Sequence, residues 1–114
     1  FLSGGESTVK ITGSGIGGRN QEFALYFVKE IQKRKLNTKF TLLSLGTDGK
    51  DGPTDAAGAI VDQNTFNLIK KSKIDFLKEL DNNNSYKILK KIGCLVIMDG
   101  TNTNVADVQM LALI

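Results

Sequence analysis

Three carboxylates, Asp48, Asp51 and Asp55, fall within residues 46–58 (GTDGKDGPTDAAG), a stretch that also holds four glycines and the chain's one proline. A turn alone uses two to five residues of this kind, so the excess points to a site. Two or three carboxylates around a loop suit Mg²⁺, which takes one or two protein carboxylates and completes its shell with water and phosphate oxygens. Asp48 and Asp55 are the candidate metal ligands. The spacing excludes an EF-hand, because Asp48 and Asp51 are three apart and the twelfth position is Ala59. The competing reading is a set of Asx turns, in which Asp accepts its own loop's N–H groups. That reading is the better account of Asp51. Asp48 leaves the carboxyl end of an apolar strand, where open α/β sheets hold their ligands.

A second polar loop, residues 12–22 (TGSGIGGRNQE), lies after an alternating stretch and before a helical one. It satisfies G-x-G-x-x-G as spelled, yet the acidic residue expected about 20 residues on is missing, and KRKLNTKF stands there. The loop also approaches G-x-x-x-x-G-K-[ST], but Arg19 and Asn20 replace the Lys and the hydroxyl. Neither motif is met with its mechanism. The shared physics remains: the N–H groups of Gly15, Gly17 and Gly18 can approach an anion closely, the helix start offers free donors, and Arg19 adds a planar cation. The alternative is a plain strand-to-helix turn with Arg19 in a surface pair. Asn20 and Glu22 extend the candidate site, although Asn20 also serves as a possible N-cap. A third loop, residues 99–107 (DGTNTNVAD), offers amides and hydroxyls that would hold substrate hydroxyls or satisfy backbone.

The elements that must position these loops are an α/β set. Residues 8–12 (TVKIT) alternate as a half-covered strand. RNQEFALYFVKEIQKRK carries Phe23, Phe27 and Ile31, with Ala24 and Val28, as one helical stripe; Glu22 in its first turn and Lys33, Arg34 and Lys35 at its end complement the helix dipole. Residues 40–45 form an apolar, central strand, and AAGAIVD another. Gly52-Pro53 would open a short helical turn. Asp62 is expected to cap a helix running to about residue 71, followed by helices over 75–80 and 85–92, the last with Ile88, Leu89 and Ile92 inward. Residues 95–98 and 108–114 read as two further buried strands. The expected fold is a single three-layer-like α/β domain, a mixed and mostly buried sheet of about five strands with helices packed on it.

Composition narrows the chemistry. The 114 residues contain no His, which removes His-based triads and His-ligated zinc. The single Cys94, in an apolar run, reads as a buried hydrophobe in a reducing, cytoplasmic setting. A net charge of +3 rests mainly on lysines at helical spacing, without the clustered Arg and aromatics of a nucleic-acid surface. No stretch is long and apolar enough for a signal peptide or a membrane span. The chain starts at Phe1 and enters LSGGE at once, so it reads as part of a longer protein.

LSGGE (residues 2–6), GGRNQEFAL (17–25), GTDGKDGPTDAAGAIVD (46–62), NNSY (83–86) and TNVAD (103–107) occur in the order and spacing of the MOFRL domain. The chain thus resembles, over essentially its whole length, the carboxy-terminal domain of class II glycerate 2-kinases. The resemblance implies ATP- and Mg²⁺-dependent phosphorylation of D-glycerate to 2-phosphoglycerate, in a cleft shared with a larger amino-terminal domain absent here. It singles out Arg19, Asn20, Glu22, Thr47, Asp48, Asp55, Thr103 and Asn104. Arg19 and the glycine amides would neutralise phosphate oxygens, and Asp48 would orient Mg²⁺ or accept the attacking hydroxyl's proton. Such a domain would be inert, or nearly so, by itself; its oligomeric state is left open. Gly100, Asn102 and Ala106 depart from the family's usual GPTGTNVND, and Asn84 stands where Asp is common. Some relatives have carried hydroxypyruvate-reductase names, so an NAD(P)-linked reductase and a non-catalytic nucleotide or sugar-acid binding module are the alternatives.

Overall fold

The computed structural model describes residues 2–5, 13–99 and 106–114. The expected strand at 8–12 and most of the third polar loop, including Thr103 and Asn104, lie outside the described residues. The elements run β1 (Leu2–Gly5), α1 (Arg19–Lys33), β2 (Phe40–Gly46), β3 (Gly58–Asp62), α2 (Thr65–Ser72), α3 (Phe76–Asp81), α4 (Ser85–Ile92), β4 (Leu95–Val96) and β5 (Asp107–Leu113). The strands form one five-stranded sheet in the order β1-β5-β2-β3-β4.

The α/β character and the central place of β2 match the sequence reading. The mixed sheet does not: every pairing in it is antiparallel. A parallel pair needs a crossover element, whereas β2 returns directly as β3 through the polar loop. The described helices also pack on one face only, giving two layers and not three. Phe40, Leu42 and Ser44 of β2 turn toward the helices and are buried, while Thr41, Leu43 and Leu45 on the other face are half-exposed. Cross-strand partners share a face, so Ile60 and Met110, both opposite Leu43, are exposed with it. Lacking a second helical layer, the last two strands are not buried as expected: Ile97 is 61% exposed and Leu113 66%.

The core lies between β2–β3 and the helices, where Ala24, Leu25 and Val28 of α1 meet Phe40, Leu42, Ala59 and Val61. Ile69, Leu80, Ile88 and Leu89 close it from the later helices. Phe27 packs edge-on against Phe40, with ring centres 5.1 Å apart. Phe23, expected in the stripe, is exposed, and Leu25 takes its share of the buried face. Asp62 is not the cap of α2. It ends β3 and accepts the Asn64 N–H, and Asn64 occupies the cap position. Residues 52–55 form bends without the helical turn expected at Pro53, and the Thr54 hydroxyl organises them by donating to the Asp51 carbonyl.

Just before β5, Ala106 adopts φ +85°, a left-handed conformation that costs an alanine about 1 kcal/mol or more. Its carbonyl accepts both the N–H and the hydroxyl of Thr47, so the conformation is fixed by the end of β2. Asn tolerates this region better. Ala106→Asn is expected to raise stability by roughly 0.5–1 kcal/mol, read as a higher urea midpoint at unchanged slope.

Candidate functional site

β2 ends at Gly46 opposite Asp107, the first residue of β5, and Asp107 is also opposite Gly5 at the end of β1. Three motif segments therefore meet at one sheet corner. α1 is tied to the same corner by its first residue. Arg19 donates Nε and Nη2 to the two oxygens of Asp107, at 2.5 and 3.0 Å. The Asp107 side chain is sealed, while that of Arg19 remains 34% exposed. A planar fork held this way is oriented before any ligand arrives.

Asn20 lies beneath Arg19 and is fully engaged. Its Nδ2 donates to Asp107 at 3.1 Å and to Asp51 at 3.2 Å, and its Oδ1 accepts the Ser44 hydroxyl at 2.7 Å. Asp51 completes the arrangement. One of its oxygens accepts the backbone N–H of Asn20 at 3.0 Å and the other that of Gln21 at 2.9 Å. These are the donors that an N-cap side chain would take. The cap position is Gly18, which has no side chain to offer. A carboxylate from 30 residues away takes its place, and its charge faces the positive end of the helix. Gly18 is required for this approach, because a Cβ there would run into the Asp51 carboxylate. Asp51 is thus structural, as expected, but it caps another element instead of folding its own loop.

Glu22, one helical turn on, is also buried. Only one of its oxygens has a partner, the Asn83 Nδ2 at 3.4 Å. Burial pushes its pKa up from 4.5 to about 7; the Asn83 N–H works against the rise and the nearby Asp51 charge adds to it.

The glycine segment before α1 is laid along residues 82–84. Gly13, Ser14 and Ile16 donate their N–H groups to the side-chain oxygens of Asn83, Asn82 and Asn84, and Gly15 donates to the Asn82 carbonyl. Tyr86 returns one bond, donating its N–H to the Ile16 carbonyl.

Placed against these networks, the sequence-derived candidates divide. Arg19, Thr47 and Asp48 stand at the open corner, with Gly17 and Gly18 beside Arg19. Thr47 holds the Ala106 carbonyl, and Asp48 accepts the Lys50 N–H at 3.0 Å. Asn20 and Glu22 are buried with internal partners, and Gly15 has its amide engaged. Asp55 is exposed and accepts the Tyr86 hydroxyl at 2.8 Å, a different neighbourhood from that of Asp48. Among the described residues no group of three or more Asp, Glu or Cys side chains could hold a metal. Asp107, Ser44 and the Asn run escaped the sequence reading as site-building groups. A serine within FTLLSL and three consecutive amides after a helix were their only signals.

A groove at the other end of the sheet, lined by Ile31, Lys35, Phe40, Gln63 and Phe66, gathers none of the motif residues. Among the described residues no helix is long and apolar enough to cross a membrane.

The arrangement is that of an α/β domain in which the start of α1, the loop after β2 and the start of β5 meet at one sheet corner around the Arg19–Asp107 pair. Residues 1–107 match the MOFRL family, and the chain belongs to it. It is 49% identical over 107 residues to a D-glycerate 2-kinase of Thermotoga maritima, covering 94% of this chain and 25% of that protein. A glycerate kinase of Rattus norvegicus is 46% identical, with 97% and 22% covered. The crystal structure of a Thermotoga maritima glycerate kinase superposes with a TM-score of 0.91 at 45% identity, over 99% of this chain and 27% of that one. The chain therefore spans about a quarter of the length of the relatives it matches.

Two outcomes test this geometry. Asp51→Ala leaves buried donors of Asn20 and Gln21 unpaired and is expected to cost about 3 kcal/mol, measured by urea unfolding. For Glu22 the folded-state pKa lies above the unfolded value, so the native protein holds the extra proton between about pH 4.5 and 7. Its contribution is present below pH 4.5 and is lost as pH rises through 7. Glu22→Gln is expected to match the wild type near pH 4.5 and to be more stable than it at pH 8.

Proposed function

We propose that this domain supplies one wall of an ATP- and Mg²⁺-dependent glycerate 2-kinase site, the rest of which comes from a further domain of a longer, cytoplasmic protein. The observation that carries the reading is the oriented Arg19, held by Asp107 at the corner where the ends of β1 and β2 and the start of β5 meet α1. The names of the relatives, glycerate kinase and glycerate 2-kinase, give the substrate class.

Phosphoryl transfer asks a protein for positioning and charge stabilisation. Arg19, its side chain 34% exposed, faces phosphate oxygens, and the amides of Gly17 and Gly18 add donors at the start of α1. Asp48 has one carboxylate oxygen directed to Lys50 and the other for the reaction, either as a ligand to Mg²⁺ or as acceptor of the glycerate hydroxyl proton. One carboxylate with phosphate oxygens and water is an adequate shell for Mg²⁺, and the ion when bound would neutralise phosphate charge. Asp55 accepts the Tyr86 hydroxyl through one oxygen and joins that shell only through the other. Thr47 holds the Ala106 carbonyl at the start of β5, and Thr103 and Asn104, which the family resemblance adds, complete the substrate contacts.

The test is glycerate-dependent ADP release by the full-length protein carrying this domain. Arg19→Lys keeps the charge but loses the fork, and Asp48→Asn keeps the shape but loses the charge. Each is expected to slow turnover by about a hundredfold, or about 2.7 kcal/mol of barrier, with the fold retained by circular dichroism. Full activity in both would make this corner a scaffold, and nicotinamide-dependent reduction of hydroxypyruvate in place of ADP release would make the protein a reductase.

A further inference from the structure

The Asn82-Asn83-Asn84 run does more than end α3. Its side-chain oxygens accept three backbone N–H groups of the glycine segment, and its backbone accepts a fourth. The segment is docked as if onto a neighbouring strand, with amide side chains standing in for backbone carbonyls. Gly15 is glycine for this contact, since a Cβ there would collide with Asn84. The G-x-G half of the apparent fingerprint therefore serves attachment, and only the Gly17-Gly18 half lies beside Arg19.

Asn83 is the member on which the rest turns. It is buried, adopts a left-handed φ of +54°, and bonds in two directions. Its oxygen accepts from Gly13 at 2.9 Å and its nitrogen donates to Glu22 inside α1 at 3.4 Å. One side chain thus links the start of the glycine segment to the first turn of the helix that carries Arg19. We propose that Asn83 is a positioning residue for phosphate binding: it sets the path of residues 13–18, and through it the placement of the Gly17 and Gly18 amides beside Arg19. This rests on the kinase reading above, because it assumes that those amides meet phosphate.

Asn83→Gly removes the side chain while keeping a residue suited to positive φ. In the full-length protein carrying this domain, amide exchange at Gly13 and Gly15, read by mass spectrometry of the peptides that contain them, is expected to quicken at least tenfold, with β2 and β3 amides unchanged. In the full-length protein, KM for ATP is expected to rise about tenfold with kcat within threefold. Unchanged exchange at Gly13 and Gly15 would overturn the inference, as would a loss confined to kcat. If Arg19→Lys and Asp48→Asn abolish turnover while Asn83→Gly leaves KM alone, this inference fails and the site reading stands. If all three are silent, the site reading fails and takes this inference with it.

Discussion

The carboxylate of Asp51 is the constraint on which the corner depends. Helix α1 begins at a glycine pair and so has no side chain of its own to close its first turn. Asp51 closes it from the polar loop after β2, and in doing so fixes how that loop lies against the helix. Asn20 then passes the constraint on, from Asp51 to Asp107 and to Ser44 in the middle of β2. A helix start, a loop and two strands are thereby registered to one another by a few buried polar groups. Such a network is stabilising only when complete, which explains why so many short polar side chains sit together under a surface that shows little more than Arg19.

The same constraint separates two kinds of polar residue that look alike in the chain. Asn20, Glu22 and Asp51 belong to the interior; Arg19 and Asp48 belong to the opening. The first group determines geometry, and the second can meet solvent or ligand. Glu22 marks the boundary, a carboxyl whose burial makes ionisation near neutral pH unfavourable and whose single partner comes from a different loop.

Much of the fold was legible because apolar spacing reflects burial directly. The stripe of α1, the apolar, central run of β2 and the inward Ile88 and Leu89 of α4 each follow from period and residue type. Strand direction was not legible, because apolar runs at β4 and β5 read as interior strands whether or not a second helical layer covers them. Phe23 was misplaced because a 15-residue helix offers two adjoining apolar stripes, and only tertiary packing selects the one through Leu25. At the corner, Arg19 and Asp48 were singled out from loop chemistry alone, and the structure places both there. The remote cap and the Asn platform were not, since both are pairings between segments 30 to 70 residues apart that leave no local pattern.

Distance along the chain has a consequence for the order of folding. Arg19 and the Asp107 carboxylate are 88 residues apart, and β5 inserts between β1 and β2 although it is the fifth of the described strands in chain order. Contacts of such long range form late, after the local helices and the β2–β3 pair. Until β5 docks, the Arg19 guanidinium and the Asn20 amide lack the Asp107 carboxylate that joins them to the sheet. A nascent or partly folded chain can therefore hold a nearly complete helical core and still present a disordered corner, so the last contact to form is also the one that makes the surface competent.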